Sequence, residues 1–197
     1  MPIAIAASTI VQQAFRFMEM RGAASFGDDS EQAIAAAEQY DIALAMVLAA
    51  YDWSFASVVS LAAEVDPTSI IADPRLPFAF VLPDDCVMLR EVIEPFCQYR
   101  ADKGLLRTDC AGPLTARYTA AITNEKQIPA TVQVAVALQL AVLLAPQYVE
   151  VQSKIDRIEA RLSEAIKVAA RTDGRTASPV SYSFAGAAGD WATEATY

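Results

Sequence analysis

The stretch Pro129–Pro146, PATVQVAVALQLAVLLAP, decides the fold more than any other part of this sequence. Between its two prolines it carries no charge, and its polar residues are Thr131, Gln133 and Gln139. Proline is tolerated in the first turn of a helix, where its missing amide hydrogen would have no partner, but it breaks a helix interior. The pattern therefore predicts a helix that ends near Ala145, is apolar nearly all round, and is surrounded by the rest of the protein.

Three more helices are predicted around this central one. They run from about Thr9 to Arg21, from Ser30 to about Tyr51, and from Tyr148 to Arg171, where Asp173-Gly174 ends the helix. The second of them is alanine-rich, which favours helix and close helix approach. Residues at helical spacing form its predicted buried stripe: Ile34, Ala37, Tyr40, Leu44, Val47, Leu48 and Tyr51.

The last of these helices has a charged face. Lys154, Arg157 and Arg161 share one side of it, and acidic residues are interleaved with them. Opposite charges three and four residues apart stabilise a solvated helix face. We therefore interpret this side as solvated or subunit-facing and not as a phosphate-binding site.

Helical periodicity is lost between residues 53 and 128. Short apolar runs divided by turn residues predict strands or extended segments there. These runs are Phe55–Leu61, Phe78–Leu82, Leu89–Ile93, Gly104–Thr108 and Leu114–Thr119. The predicted fold is thus mainly α: a four-helix bundle with a small β-rich insertion, residues 53–128, between helices 2 and 3. Residues 1–174 are predicted to form a single helical domain.

Four large side chains are predicted to anchor the core of this domain: Trp53, Phe55, Leu82 and Tyr118. Trp53 follows the second helix directly, so we expect it to hold the junction between that helix and the insertion. Trp53 and Phe55 could instead line a ligand pocket, but core packing at a helix exit is the simpler interpretation.

Composition excludes several classes of chemistry. The chain has 197 residues, a net charge of −9 and no histidine. The absence of histidine removes most zinc sites, the serine triad and the cysteine–histidine dyad. A strongly acidic surface disfavours tight binding to nucleic acid, whose phosphates need cations. The three cysteines, Cys86, Cys97 and Cys110, form no Cys-x-x-Cys pair and predict free thiols in a reducing compartment.

No catalytic, cofactor-binding or metal-binding site is predicted. The acid pairs Asp28-Asp29 and Asp84-Asp85 are interpreted as a helix N-cap and a turn, since adjacent side chains point apart. The seven glycines are spread singly and form no phosphate-binding loop. The apolar run Val132–Ala145 is shorter than the ~20 residues that a bilayer requires, so no membrane association is expected.

The C-terminal residues 175–197 differ from the rest of the chain. They are mostly alanine, glycine, serine and threonine, which cannot build a core of their own. Yet they carry five large side chains that are predicted to contact a partner protein or a neighbouring subunit: Val180, Tyr182, Phe184, Trp191 and Tyr197. Val180, Tyr182 and Phe184 alternate with serines, which favours addition of a strand to a partner's sheet. The segment is therefore predicted to be an extended arm.

Several motifs, taken in order, resemble a known family. An acid-capped alanine-rich helix precedes Trp53-Ser54-Phe55-Ala56, and FVLPDDC at Phe80–Cys86 is followed by Leu89, Arg90 and Val92. Ala116-Arg117-Tyr118-Thr119 and the apolar helix opened by Pro129 come next. This order, over Ser30 to Arg171, resembles the head-to-tail adaptor (connector) family of tailed bacteriophages and gene transfer agents, and is similar to tail tubular protein A of short-tailed phages.

The resemblance implies a structural protein and not an enzyme. Members of that family form a ring, usually of twelve subunits, that docks below the portal of the DNA-filled head and presents the next surface for the tail. The expected partners are therefore copies of this chain, a portal protein, a neck or tail protein, and DNA as cargo passing through the lumen. The expected location is the host cytoplasm during assembly and then the neck of the particle. The alternative is a helical ligand-binding or sensor module, which would also explain the apolar third helix.

Overall fold

Four α-helices form one part of the protein, which is represented by a computed structural model that describes residues 9–20, 31–66, 73–102 and 104–176. The apolar helix α3 is the centre of this part, and α1, α2 and α4 all pack against it. Its central position follows from its sequence, because a helix that is apolar on every side is stable in water only when neighbours cover it. The bounds are α1 Thr9–Phe17, α2 Glu31–Ala50, α3 Ala130–Tyr148 and α4 Gln152–Thr176.

A six-stranded antiparallel sheet forms the other part and curls into a nearly closed barrel. The strands lie in the order β3-β6-β1-β2-β5-β4. The long strand β1 joins two halves of the sheet, because its residues 57–62 pair with β6 and its residues 63–64 pair with β2. The bounds are β1 Ser57–Glu64, β2 Phe78–Val81, β3 Cys86–Val92, β4 Tyr99–Asp102, β5 Leu105–Thr108 and β6 Leu114–Ala120.

The prediction of a mainly α four-helix bundle with a small β-rich insertion is wrong. The protein is 52% helical and 23% strand, and the sheet is a substantial body of its own. It has a separate core, formed by Phe80, Val92, Leu106, Leu114 and Ala116. The short runs in the sequence indicated strands individually but not their pairing, because each run contributes at most two residues to this core.

Four helix ends also differ from the prediction, two of them because α1 ends at Phe17 and not near Arg21, and α4 begins at Gln152 and not near Tyr148. Pro146 does not break α3, which continues to Tyr148, and the Val149 amide donates to the Ala145 carbonyl at 2.8 Å. A proline removes a single amide donor, and near the end of a helix the remaining hydrogen bonds can close the last turn. Gly174 does not end α4 either, since that helix runs to Thr176.

The α4 helix extends past its predicted end because Asp173 has a partner elsewhere in the chain. Its carboxylate accepts hydrogen bonds from the Ser54 amide at 2.8 Å and from the Ser54 hydroxyl at 2.7 Å. Ser54 begins the short 3₁₀ turn Ser54–Ala56 that follows α2. The carboxylate therefore caps this turn from 119 residues away in sequence and fixes the end of α4 beside the end of α2.

Trp53 lies at the junction of the helices and the sheet and is fully buried. Its indole Nε1 donates to the Val47 carbonyl at 2.8 Å, so the ring's one polar atom has a partner. The rings of Tyr51 and Phe55 pack against it at centroid distances of 5.0 and 6.0 Å.

Arg90, on β3, binds the carbonyl end of α2. Its Nη2 lies 2.9 Å from the Leu48 oxygen, 3.2 Å from the Ala49 oxygen and 2.5 Å from the Tyr51 oxygen. Its Nε donates to the Thr119 hydroxyl on β6 at 2.8 Å. The last carbonyls of a helix lack partners within the helix, and a cation there also interacts favourably with the helix dipole. One side chain thus ties α2 to two strands of the sheet.

The prediction of three free thiols is wrong for two of them. Cys97 and Cys110 form a disulfide with a Cα–Cα distance of 5.7 Å, and Cys86 is free. The sequence could not indicate this pair, because 13 residues separate the two cysteines and the turn that brings them together is built by β4 and β5. Burial raises the pKa of the Cys86 thiol, and the charge of Asp85 adds to that effect.

We predict that Trp53→Ala destabilises the protein by ~3–5 kcal/mol, because it removes a large buried ring and leaves the Val47 carbonyl without its donor. Chemical denaturation followed by circular dichroism measures this loss. A loss below ~1 kcal/mol, the range of surface substitutions, would contradict the burial of this ring.

We predict that Arg90→Met destabilises the protein by ~1–3 kcal/mol, because the carbonyls at the end of α2 lose their donor while the aliphatic part of the side chain is kept. Arg75→Met is the matched control, since Arg75 is exposed and its backbone amide alone is hydrogen-bonded to Asp73. The control is expected to change the unfolding free energy by less than ~0.5 kcal/mol. Equal effects of the two substitutions would show that the contact between Arg90 and α2 contributes nothing to the free energy of unfolding.

We predict that the unfolded, unreduced protein has one reactive thiol per chain, Cys86, and that a disulfide reductant raises the number to three. Titration with a thiol reagent in denaturant measures both numbers. Reduction is expected to lower the unfolding free energy by ~3 kcal/mol, the effect of opening a loop of this size. Three thiols before reduction would mean that the pair is not formed.

Candidate interaction surfaces

The motifs that carry the family resemblance meet at the junction between α2 and the sheet. Arg117 on β6 donates to Asp52 at 2.6 Å and to Glu91 on β3 at 3.3 Å. The Tyr118 hydroxyl donates to Asp85, at the turn before β3, at 3.0 Å. Burial raises the pKa of Tyr118, and its hydrogen bond to Asp85 raises it further. Each of these groups contributes a hydrogen bond at the junction of α2 and the sheet.

The described residues show little that could catalyse a reaction. Cys97, Asp109 and Cys110 have ligand atoms within 4.8 Å of one another, but both sulfurs are used in the disulfide and cannot bind a metal as thiolates. Asp84 and Asp85 lie in a turn, as predicted, and Asp28-Asp29 fall outside the described residues. The disulfide and the turn at Asp84 and Asp85 are both structural features.

The four predicted core anchors lie at or near the two cores. Trp53 and Tyr118 are buried, whereas Phe55 and Leu82 are half-buried. Phe55 packs against the helical core, and Leu82 packs against the core of the sheet. The predicted contact residues of the arm lie outside the described residues: Val180, Tyr182, Phe184, Trp191 and Tyr197.

The α2 helix exposes an apolar face that the sequence did not identify. Ile34, Ile42 and Met46 are each about half exposed, at 51%, 48% and 47%. Ile34, Ala37 and Tyr51 were predicted to be buried, but all three are exposed. The helix is rich in alanine and apolar on most sides, so helical spacing alone did not select the face that packs on α3. The sequence did contain one indication of this exposed face: the acids Glu38 and Asp41 lie at helical spacing from the isoleucines.

The outer face of the sheet is apolar along β1. Val59 and Leu61 alternate on that strand and are 51% and 69% exposed. Ala63 continues the alternation and is paired with Val81 of β2, which is 44% exposed. Directly paired residues of neighbouring strands lie on the same face of a sheet. These residues therefore form one apolar patch that crosses from β1 to β2.

Phe96 is the most exposed large apolar side chain among the described residues, at 98%. It lies in the turn between β3 and β4 with a φ of 66°, a conformation that a bulky residue adopts rarely. The disulfide at Cys97 holds the next residue to the turn after β5. The ring is thus displayed at a fixed place on the end of the sheet.

A shallow apolar groove of about 360 Å³ lies between α3 and α4. Thr131, Val134 and Leu138 of α3 line one side, and Ala165 and Val168 of α4 line the other. Arg161 and Glu164 border it. The groove is open to solvent along its length, so it suits a protruding side chain or a helix better than an enclosed small molecule.

Two helices are long and apolar enough to span a membrane by length and composition: Glu31–Ala50 and Ala130–Tyr148. The second is more than half buried, as expected for the core helix of a folded domain, and the same test accepts such helices. Length and composition therefore give only weak evidence for a membrane span here.

Comparison with models of known protein families finds no match, and comparison with curated protein sequences finds none either. The interaction surfaces and the joint are therefore the basis on which a function is inferred.

Proposed function

We propose that this chain is a structural subunit of a phage or phage-like particle, one that assembles into a ring between the portal of the DNA-filled head and the tail. The observation that supports this proposal most is the exposure of apolar side chains on more than one face. Large apolar patches on the surface of a protein mark sites of protein–protein contact. A subunit with separate patches can contact different neighbours on different sides, as a ring subunit with a head above and a tail below must do.

The resemblance of the ordered motifs supports a proposal for which neighbours these are. Its residues run from Ser30 to Arg171, and in the structure several polar ones among them form hydrogen bonds at the junction of α2 and the sheet. A shared joint between a helical core and a β-rich part is what a family of structural proteins needs to keep. The portal protein, a neck or tail protein and DNA passing through the lumen are the proposed partners.

The charge of the chain fits passage of DNA. A net charge of −9 for each subunit makes a ring that repels phosphate and lets a duplex slide without adhering. The isolated protein is therefore expected to lack tight duplex binding.

A ligand-binding or sensor module is the second candidate, and the open groove between α3 and α4 favours it. A sensor is expected to remain a monomer or dimer and to gain thermal stability when its ligand binds. A ring subunit is expected to form a larger assembly, so the mass of the particle in solution distinguishes the two functions.

We predict that particles made without this chain are DNA-filled heads that lack tails. The full-length chain is expected to restore tailed particles, whereas a chain that lacks residues 177–197 is expected to fold but to leave heads tailless. The truncation keeps all of α4, including Asp173 and its bond to Ser54, so the described fold is retained. The five large side chains proposed to bind the portal are lost with the arm.

Electron microscopy of purified particles, with an epitope tag on the chain, measures both results. Circular dichroism of the truncated chain is the control for folding. Tailed particles formed in the absence of the chain would contradict the proposed function. Tailed particles formed by the truncated chain would show that the arm is not the attachment element, while the function would stand.

A further inference from the structure

Two surfaces of the helical part are both apolar and carry opposite charges. We propose that the exposed face of α2 in one subunit docks into the groove between α3 and α4 of the next copy, and that this head-to-tail contact builds the ring. This inference rests on the proposed function, for which it names the subunit interface.

The exposed face of α2 is both apolar and acidic. Glu31, Ile34, Glu38, Ile42 and Ala45 follow one another at steps of three or four residues, so they form one stripe, and all of them are exposed. Met46 and Asp41 border that stripe and are also exposed. The whole helix contains three acids and no lysine or arginine. No salt bridge among the described residues engages Glu38 or Asp41.

The flank of α4 beside the groove is apolar and basic. Its residues also follow at steps of three or four: Arg157, Arg161, Glu164, Val168, Arg171 and Arg175. This stripe carries four arginines and a single acid, in a chain whose net charge is −9. Val168 lies among them and is 43% exposed.

Two neighbouring residues of α3 show that the groove and α2 lie on different sides of that helix. Leu138 lines the groove together with α4, whereas the neighbouring Gln139 donates its side-chain amide to the Met46 sulfur of α2 at 3.6 Å. Adjacent residues of a helix point about 100° apart. The groove and α2 therefore lie on different flanks of α3, and α2 of the same chain does not fill the groove.

The chemistry favours a second copy as the occupant. Ile34 and Ile42 are of a size to enter a groove lined by Val134, Leu138 and Val168, as in other helix-in-groove contacts. The acids of α2 would then face the arginines of α4, and complementary charges of this kind select the partner and its register. A contact between two different surfaces of identical chains repeats around an axis, and it closes a ring when the rotation between neighbouring copies divides a full turn. Two identical faces in contact would give a closed dimer instead.

The test uses two full-length variants, each blocked on one surface. Ile42→Arg places a cation on the α2 face, and Val168→Glu places an acid in the groove among the apolar side chains. Each variant alone is expected to remain monomeric where the wild-type chain assembles, with association weakened by about tenfold or more. Val151→Arg is the matched control, because Val151 is 50% exposed, precedes α4 and lies outside both surfaces. It is expected to assemble as the wild type does.

A mixture of the two blocked variants tests the head-to-tail geometry. The Ile42→Arg chain retains its groove, and the Val168→Glu chain retains its α2 face, so the mixture is expected to form one-to-one dimers and nothing larger. Native mass spectrometry distinguishes these mixed dimers from monomers. Isologous contacts between identical faces predict no mixed dimer, and that result would overturn the proposal.

Charge exchange provides a second set of variants in case a blocked chain fails to fold. Glu38→Lys with Asp41→Lys, and Arg157→Glu with Arg171→Glu, are each expected to weaken assembly, and a chain with all four substitutions is expected to regain it. Loss of assembly in all three chains would contradict the pairing of these charges. Duplex DNA that binds the wild type but not the Arg157→Glu, Arg171→Glu chain, with assembly unchanged, would assign the basic flank to DNA and overturn the proposal.

The two proposals fail in different ways. Wild-type rings that persist in every α2 and α4 variant would overturn this interface and leave the ring function standing. A wild-type chain that forms closed dimers, or stays monomeric both alone and on DNA-filled heads, would contradict the ring function itself.

Discussion

The carbonyl end of α2 has no cation of its own, and the guanidinium of Arg90 from the sheet binds it. The arginine reaches three carbonyl oxygens of the helix end and the Thr119 hydroxyl at the same time. The helical core and the core of the sheet are separate clusters, so their relative position depends on contacts at this joint. Trp53 fills the space beside it, and Asp173 brings the end of α4 to the same place. This joint therefore fixes the sheet against the helices that carry the surfaces proposed for assembly.

A helical part built around α3 explains why α2 has an unusual exposed face. Alanine-rich helices approach one another closely and need only a narrow stripe to pack, here centred on Tyr40, Val47 and Leu48. The remaining apolar residues of α2 are then left in solvent, where each costs free energy unless a partner covers it. In a protein that acts as a monomer, such a face destabilises the folded state and promotes nonspecific association. In a subunit of a ring, the same face can form the contact with the next subunit. The acids on α2 and the arginines on α4 restrict which partner can cover it.

The sequence predicted the helices well because their signal is local. Four apolar or amphipathic stretches with 3.6-residue spacing, and prolines and glycines near their ends, placed α2 and α3 within a few residues of their observed bounds. It failed at Pro146 and Gly174, where helix-breaking residues are tolerated because neighbouring hydrogen bonds compensate. The short apolar runs indicated most strands of the sheet. The size of the sheet was missed because a strand of four to eight residues contributes to a core only through pairings with distant strands.

The sequence by itself determined that α3 is central, that no histidine chemistry is available, and that Trp53 follows the second helix, because composition and spacing are properties of the chain alone. The tertiary structure decided which side of α2 is buried, that Cys97 and Cys110 are paired, and that Arg90, Arg117 and Tyr118 meet at one joint. Those features depend on residues tens of positions apart, and the free energy of bringing them together is set by the packing of both cores. The proposed docking face and its groove belong to the second group, because exposure is defined only when every neighbour is in place.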